Sequence, residues 1–471
     1  MKAKFVLAVL ALLPATGFAG APTTQALRGD RRVFDVRAIG PAVPALKYEF
    51  AVDPLDRRDG NAAILYLQAG LLVNSDMEDV VDNANDNYTM YHKSPANDRR
   101  LLDLISSNKP LFELLNAAAR CNQCDWNTAG KGLSFESQTP WWKRARTLVN
   151  LLRAHCRQQL DSGDPEGAVQ TIRLEYALGR NVGKGTPLVA ALVGTGITAV
   201  ASDSAGELCA RPDSPNLYWA FLSLPHPVVS LRDAMDGERQ WHLAQFPLLA
   251  KGRNGGITGD DWPLYVKELA EISAATHPPN QGPNRVVDQL ALGIAAMPGA
   301  SRYYSETRHL SLEQVSKIDS QLVLATYFLE QYQIAIDEQT KIFSLPLNEA
   351  LERSEKLPAR LKELGIDETN LASGIIPALE RVPQVFGRPE RTEAALTTIE
   401  ALRAYAADHG GQLPAKLEDV TDTPVPVNPM TGKMFDYRVE NGTATISDTT
   451  SPGSGGEKGY PLVYTLRILK P

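Results

Sequence analysis

Histidine and cysteine are scarce in this chain, and their scarcity removes most metal and nucleophile signatures. Seven histidines are scattered over 471 residues, and none pairs with another at metal-ligand spacing. His-Glu-x-x-His, Gly-x-Ser-x-Gly and Gly-x-Gly-x-x-Gly are all missing, so the sequence carries no zinc-protease, α/β-hydrolase or dinucleotide-binding fingerprint. Ser106 and Lys109 satisfy Ser-x-x-Lys, but the Ser-Asp-Asn and Lys-Thr-Gly companions of the serine β-lactamases are lacking. GRNVGKGT, from Gly179 to Thr186, resembles a phosphate loop only superficially, because the spacing is wrong and a helix rather than a strand precedes it. There is no Lys/Arg stripe with interleaved aromatics, and the net charge is −7. Nucleic acid is therefore not an expected partner. Lys143-Arg144-Ala145-Arg146 reads as the solvated face of a helix.

Long apolar runs are also missing beyond the N-terminus, where the clearest functional statement lies. Lys2 and Lys4 form a basic start, Phe5–Leu13 is unbroken apolar sequence, and Gly17 and Ala19 suit signal-peptidase cleavage after Ala19. The run is shorter than the about 20 residues that cross a bilayer, and no cysteine stands at the cleavage point to take a lipid. The expectation is an exported protein, periplasmic or extracellular, with no transmembrane anchor after cleavage.

In that compartment the four cysteines, Cys121, Cys124, Cys156 and Cys209, are read as structural, either as disulfides or as buried thiols. Three pairings remain open. The CNQC motif follows LFELLNAAAR, which looks like a helix finishing, whereas a thioredoxin motif opens one. Asp125 rather than His follows Cys124, which argues against haem attachment, and Cys156 and Cys209 lack zinc-knuckle spacing.

What the chain does have is helical periodicity. Asn61 is placed to cap a helix beginning AAILYLQAGLLV. The acid-rich stretch NSDMEDVVDNANDNYTMYHKSPANDRR, in which Asp82 and Asp86 flank Ala84 in a poor echo of an EF-hand, reads as a solvated loop. Helical spacing returns at Leu101–Ala119. A helix pair follows, with Leu148, Leu151, Leu152 and His155 on one face and Ala168, Ile172 and Tyr176 on the other. Between them Asp164 caps and Pro165 starts the second helix. The pair is reminiscent of one tetratricopeptide unit, but no regular repeat of about 34 residues recurs. Further helices are expected at Pro187–Asp203, Val228–Leu249, Trp262–Ala275, Val286–Ala296, Ser311–Gln339 and Pro346–Leu364.

Near residue 385 the character changes. A helix with an apolar stripe of Ala395, Ile399, Leu402 and Ala406 stops at His409-Gly410-Gly411, and short alternating runs follow. NPMTGKMFDYRV reads as a turn feeding a strand. Asn441-Gly442 is a two-residue hairpin signal, since both positions tolerate positive φ. That turn places Val439 opposite Ala444 and Tyr437 opposite Ile446, and a slip of one residue would bury the wrong face. Leu462–Leu469 supplies the third strand of an antiparallel meander. Among acidic groups, Asp260-Asp261-Trp262 combines two carboxylates with a ring able to stack on a sugar, as glycoside hydrolysis requires. Helix capping is the preferred reading of the pair.

GNAAILYLQA, CDW, SGDPEGA, YALGRNVGKGTPLVAALVGTGI and RDAMDGERQ, in this order, resemble an uncharacterised family of exported, mostly helical bacterial proteins. ALRAYAADHGGQLPAKLEDV with VPVNPMTGKMFDYRV also resembles the globular part of type II secretion pseudopilins, in which a helix and a Gly-x-x-Pro bend precede an Asn/Asp-Pro-x-x-Gly turn into a strand. The prepilin cleavage motif of pseudopilins is missing here. The resemblance implies no catalytic residue and no cofactor.

The expected fold is mainly α, an irregular helical-hairpin body reminiscent of tetratricopeptide units with a small α+β C-terminal domain. The expected division is a signal peptide at 1–19, an extended lead-in at 20–43, a helical domain at 44–385 and a pseudopilin-like domain at 386–471. The expected role is a non-catalytic interaction or scaffold protein of the cell envelope whose partners are envelope proteins or peptides. The alternative is a hydrolase using Asp260 and Asp261. N-terminal sequencing of the exported protein is predicted to read from Gly20, and an intact Met1 in soluble periplasmic material would refute the signal-peptide assignment.

Overall fold

The computed structural model describes residues 29–126, 135–186, 188–245, 247–253, 256–261, 263–264, 267, 285–366, 379–448 and 460–470. The expected signal peptide and cleavage site lie outside them, as does most of the expected helix Trp262–Ala275. The described chain is mostly helical with a small sheet near its C-terminal end.

After strand β1 (Asp30–Arg37) and a short strand β2 (Arg58–Asn61) come helices α1 (Ala62–Leu71), α2 (Ser75–Tyr91), α3 (Arg99–Ser107) and α4 (Lys109–Arg120), then strand β3 (Cys121–Gln123). The long helices α5 (Phe135–Asp161), α6 (Pro165–Val182) and α7 (Leu188–Cys209) follow, then α8 (Tyr218–Leu222), α9 (Leu231–Gln245) and α10 (Pro247–Arg253). The remainder is α11 (Arg285–Arg308), α12 (Leu312–Val315), α13 (Ser320–Phe343), α14 (Leu347–Glu363), α15 (Val382–Asp408), β4 (Asp436–Glu440), β5 (Thr443–Asp448) and β6 (Leu462–Leu469).

Local chemistry starts and stops these helices as the sequence indicates. Asn61 Oδ1 accepts from the Ala63 N–H, and Asp164 Oδ1 from the Gly167 N–H. The acid-rich stretch is not a loop: it is α2, with Met77, Val80, Val81 and Ala84 buried. Those four recur at i, i+3, i+4 and i+7, a narrow apolar stripe among acids that suffices because it faces α5. Asn74 Oδ1 caps it through the Met77 N–H. Helices α6 and α7 approach closely at their glycines. A Cβ on Gly194 would stand 2.6 Å from the Gly179 carbonyl oxygen, so a larger residue there would force the helices apart.

The expected meander and its register are present. Val439 pairs with Ala444, Tyr437 with Ile446, Arg438 with Thr445 and Asp436 with Ser447, and β5 runs antiparallel to β6. Asn441 and Gly442 have φ of 50° and 74°, as the two-residue turn requires. NPMTGK is a closed turn in which the Asn428 N–H donates to the Lys433 carbonyl and the Gly432 N–H to the Asn428 carbonyl, both at 2.8 Å. Met430 is buried and lies against Gly387 of α15. The segment is a structural clasp leading into β4.

Two expectations about organisation need correction. The meander is part of a four-stranded sheet in the order β1-β6-β5-β4. Its fourth strand comes from the stretch read as a lead-in: β1 pairs parallel to β6 from Asp30↔Leu462 to Arg37↔Leu469. Phe34 and Val36 point inward and are fully buried, but the arginines and aspartates between them mask the alternation. Nor does a boundary near residue 385 separate two cores. Helix α15 runs through it, and one apolar cluster joins Phe34, Leu160, Ile172, Leu208 and Phe221 to Ile399, Ile446 and Leu466.

At the centre of that cluster Arg403 and Glu400 are fully buried and paired at 2.8 Å. The guanidinium also donates to the Arg37 and Ser214 carbonyls, and Glu400 accepts from the Leu217 N–H. Removing one member strands a charge in the interior, so Arg403→Met should cost about 3–5 kcal/mol. Urea unfolding of Arg403→Met and of the double variant Glu400→Leu/Arg403→Met checks this. The double variant should recover part of the loss, and a single variant within 1 kcal/mol of wild type (~1) would contradict the assignment.

Candidate functional site

Helix α13 begins at Asp319, whose carboxylate accepts from the Gln321 N–H, and then places Leu322, Thr326, Leu329 and Gln333 along one stripe. That stripe floors a cleft of about 470 Å³, walled by α9, α10 and α11. Leu243, Leu249, Ile257 and Tyr304 give it apolar sides. Arg308 of α11 closes one edge. It lies over the Tyr304 ring, 4.1 Å from the centroid, and pairs with Glu330 at 2.6 Å. The Tyr332 hydroxyl lies 2.8 Å from His242 Nδ1. Burial lowers the His242 pKa despite the nearby Glu238, so the ring is neutral at pH 7. Arg253, at the end of α10, lines the cleft, is exposed, and has no carboxylate partner among the described residues. Glu330 is the single carboxylate among the described lining residues.

The acids singled out from the sequence do not build a hydrolytic pair. Asp260 is exposed on a short turn. Asp261 pairs with Lys251 at 2.7 Å and accepts from the Thr258 N–H at 2.7 Å and the Thr258 hydroxyl at 3.0 Å. The Lys251 ammonium, followed by these hydrogen bonds, holds its pKa below the ordinary carboxylate value. A carboxylate so occupied closes its own loop back on residue 258 and has no proton to deliver.

All four cysteines are free thiols. Cys156 and Cys209 are fully buried in the main apolar cluster. Burial pushes the Cys124 thiol up to about 12 and raises Cys121 as well, the opposite of what a redox nucleophile needs. The CDW stretch is a fastening. Asn61 Nδ2 donates to the Asp125 carbonyl and Trp126 Nε1 to the Asn181 carbonyl, which ties α1 to α6. Asn441 and Gly442 serve their turn alone.

Sequence reasoning missed two groups of polar residues, each built around a buried glutamate. Glu175 stands one turn after Ile172, on the apolar stripe of α6, and is fully buried, with only the nearby Ser204 hydroxyl, too loosely placed for a full hydrogen bond, to serve its carboxylate among the described residues. Burial raises its pKa to about 8, with Ser204 and Arg153 offsetting only part. Beside it, burial would raise Glu207, yet Arg157 and Arg153 hold it down to about 2. An acid on an apolar stripe was a visible signal. The second group is His226, Glu390 and Glu393, whose ligating atoms all lie within 4.8 Å of one another. Glu390 and Glu393 sit one turn apart on α15, a visible pair, but nothing in the sequence links them to a histidine more than 160 residues earlier (~160). These three are the described residues best arranged to hold a metal ion.

Comparison of the chain with protein-family models, with curated proteins and with solved structures finds no match in any of the three.

Glu175 generates a pH prediction. Its folded pKa lies above the ordinary value of 4.5, so above that pH the folded state keeps a proton that the unfolded chain has released. Stability should therefore fall as pH rises from about 4.5 to about 8 and level off beyond, with a total on the order of 3–5 kcal/mol. Glu175→Gln removes this slope. Urea unfolding at pH 5 and pH 8 (~5 and ~8) should show the variant gaining on wild type at the higher pH. A constant difference would refute it.

Proposed function

We propose that this chain is an exported, non-catalytic interaction protein of the cell envelope, and that its cleft receives a peptide segment of an envelope partner. The observation that carries this reading is the composition of the cleft. Apolar walls and a tyrosine ring bury side chains, while among the described residues Arg253 has no carboxylate partner and the single lining carboxylate is already paired with Arg308. A pocket of this size with a few placed polar groups suits a short segment of a partner. An apolar side chain would enter between Leu249, Ile257 and Leu329, and an acidic group would meet Arg253, since guanidinium forks carboxylates with two parallel bonds.

The surrounding architecture agrees with this role. The α5–α6 hairpin, reminiscent of a tetratricopeptide unit, belongs to a class of helical surfaces that bind peptides and proteins. The N-terminal signal pattern supports export. The pseudopilin-like helix and meander support work in the same compartment as secretion machinery. A hydrolase reading gains no support from Asp260 and Asp261.

Panning a random peptide display library on immobilised mature chain tests this. Enriched peptides should join an apolar residue to a nearby Asp, Glu or free C-terminus, and Arg253→Glu should weaken them by about tenfold or more, the effect of a lost charge-assisted pair. No enrichment, or peptides indifferent to Arg253→Glu and to Leu322→Arg, would overturn the assignment.

A further inference from the structure

We infer that His226, Glu390 and Glu393 form a binding site for one divalent cation, such as Zn²⁺ or Mn²⁺, at the junction of α15 with the segment that joins α8 to α9. This site is separate from the cleft and does not rest on the peptide-binding reading.

Each of the two carboxylates is prepared by a hydrogen bond that fixes one of its oxygens and leaves the other to give. Glu390 Oε1 accepts from the Val228 N–H at 2.8 Å, which turns Oε2 toward His226 Nδ1 at 3.3 Å. Glu393 Oε1 accepts from the Ser202 hydroxyl at 2.9 Å. Its other oxygen, Oε2, is fully buried and has no hydrogen-bond partner among the described residues, although the Tyr176 hydroxyl lies close to the carboxylate. Buried carboxylate oxygens are rarely left so, and the Glu390 carboxylate one turn away adds a like charge beside it.

A cation supplies what is lacking. Two ligands of a tetrahedral ion with bonds of about 2.1 Å stand about 3.4 Å apart, close to the present separation of Nδ1 and Oε2. The remaining ligand atoms lie within 4.8 Å, so side-chain torsions on α15 close the set without moving the backbone. One imidazole and two carboxylates suit divalent ions that accept nitrogen and oxygen ligands, and disfavour soft ions that need thiolate. Val228 N–H and Ser202 Oγ are the orienting partners that metal-bound carboxylates commonly have. His226 is half exposed and Glu393 is fully buried, so the ion would enter past the imidazole and keep water on its outer side. Bound there, it would fasten the segment before α9 to the central helix.

The test uses the full mature chain, freed of metal by chelator and titrated with MnCl₂ while the paramagnetic resonance of free Mn²⁺ is followed. Mn²⁺ is chosen because the free thiols Cys121 and Cys124 compete poorly for it. One ion per chain should bind. His226→Ala and Glu393→Gln should each weaken binding at least tenfold, and Ser202→Ala, which leaves all three ligands in place, should weaken it by about tenfold. Melting curves of the metal-free variants establish that they fold. Independently of the variants, X-ray absorption of the Zn²⁺-loaded wild-type chain should show nitrogen and oxygen neighbours and no sulfur. Failure of the wild-type chain to bind Mn²⁺, binding unchanged in His226→Ala and Glu393→Gln, or sulfur ligation of Zn²⁺ would each overturn the proposal.

Discussion

A fully buried ion pair, Glu400 with Arg403, is the constraint on which the rest of the fold depends. Burying two charges costs several kcal/mol per ion after relaxation, and the cost is met only where every donor and acceptor finds a partner. Here the partners come from three distant parts of the chain. The Arg37 carbonyl is the last residue of β1, Ser214 and Leu217 belong to the turn after α7, and the pair itself is on α15. Satisfying the pair therefore requires β1 to lie beside β6, the turn to close over α15, and α15 to sit at the middle. A second buried pair lies nearer the start of the helix, less completely matched, since Arg391 Nε has no hydrogen-bond partner among the described residues. Arg391 reaches Asp448 at the end of β5 and the Tyr460 carbonyl just before β6.

Helix α15 is consequently buried nearly all round along its middle turns, from Glu393 to Ala404. One side carries Ala395, Ile399 and Leu402 in the shared core, and the other side carries the charges. Such a helix cannot be amphipathic in the usual sense. Its polar residues must be matched one by one, and that is why an unmatched atom stands out. Glu393 Oε2 is one such atom, and the Glu175 carboxyl, one helix away, is another. Burial keeps both protonated more readily than ordinary carboxyls. Below its raised pKa Glu175 is a neutral, polar, poorly satisfied group, and above it an unpaired charge.

What was legible in the sequence followed from local rules. Asn61, Asp164 and Pro165 mark helix starts because they act on backbone groups a few residues away. Asn441-Gly442 gave the hairpin its register because a two-residue turn admits only one pairing of its flanking strands. What was hidden depended on distance along the chain. β1 shows two inward apolar positions among arginines and aspartates, and it reads as a strand only once β6, more than 400 residues later (~400), is beside it. The acids and asparagines of α2 outnumber its apolar residues, and only contact with α5 reveals which face counts. Asp260 and Asp261 drew attention by adjacency, while His226 and Glu390 meet through the fold alone. The cleft has no sequence motif because its wall is a stripe of ordinary apolar residues that happens not to be covered by another described helix.

Helix α7 shows how far composition alone can be pressed. With 22 residues it is long and apolar enough to cross a membrane, contrary to the expectation that no such stretch follows the N-terminus. Yet 72% of its apolar window is buried inside the fold, against α5, α6 and α15. Two of its hydroxyls are satisfied within the helix, Thr195 and Thr198 each donating to the carbonyl four residues earlier. Its few charges lie at the far end, where Asp203 meets Arg32 and Glu207 meets Arg157. A helix packed on several sides by protein faces the same demand as one in lipid, that nothing polar be left without a partner. Glycine and alanine add close approach, as at Gly194 against Gly179. The difference lies in what the helix does with its remaining polar atoms. Ser202 points its oxygen at Glu393 and Tyr176, groups that a lipid-facing helix would have no reason to meet. The apolarity of α7 is therefore accounted for by its place at the centre of the protein.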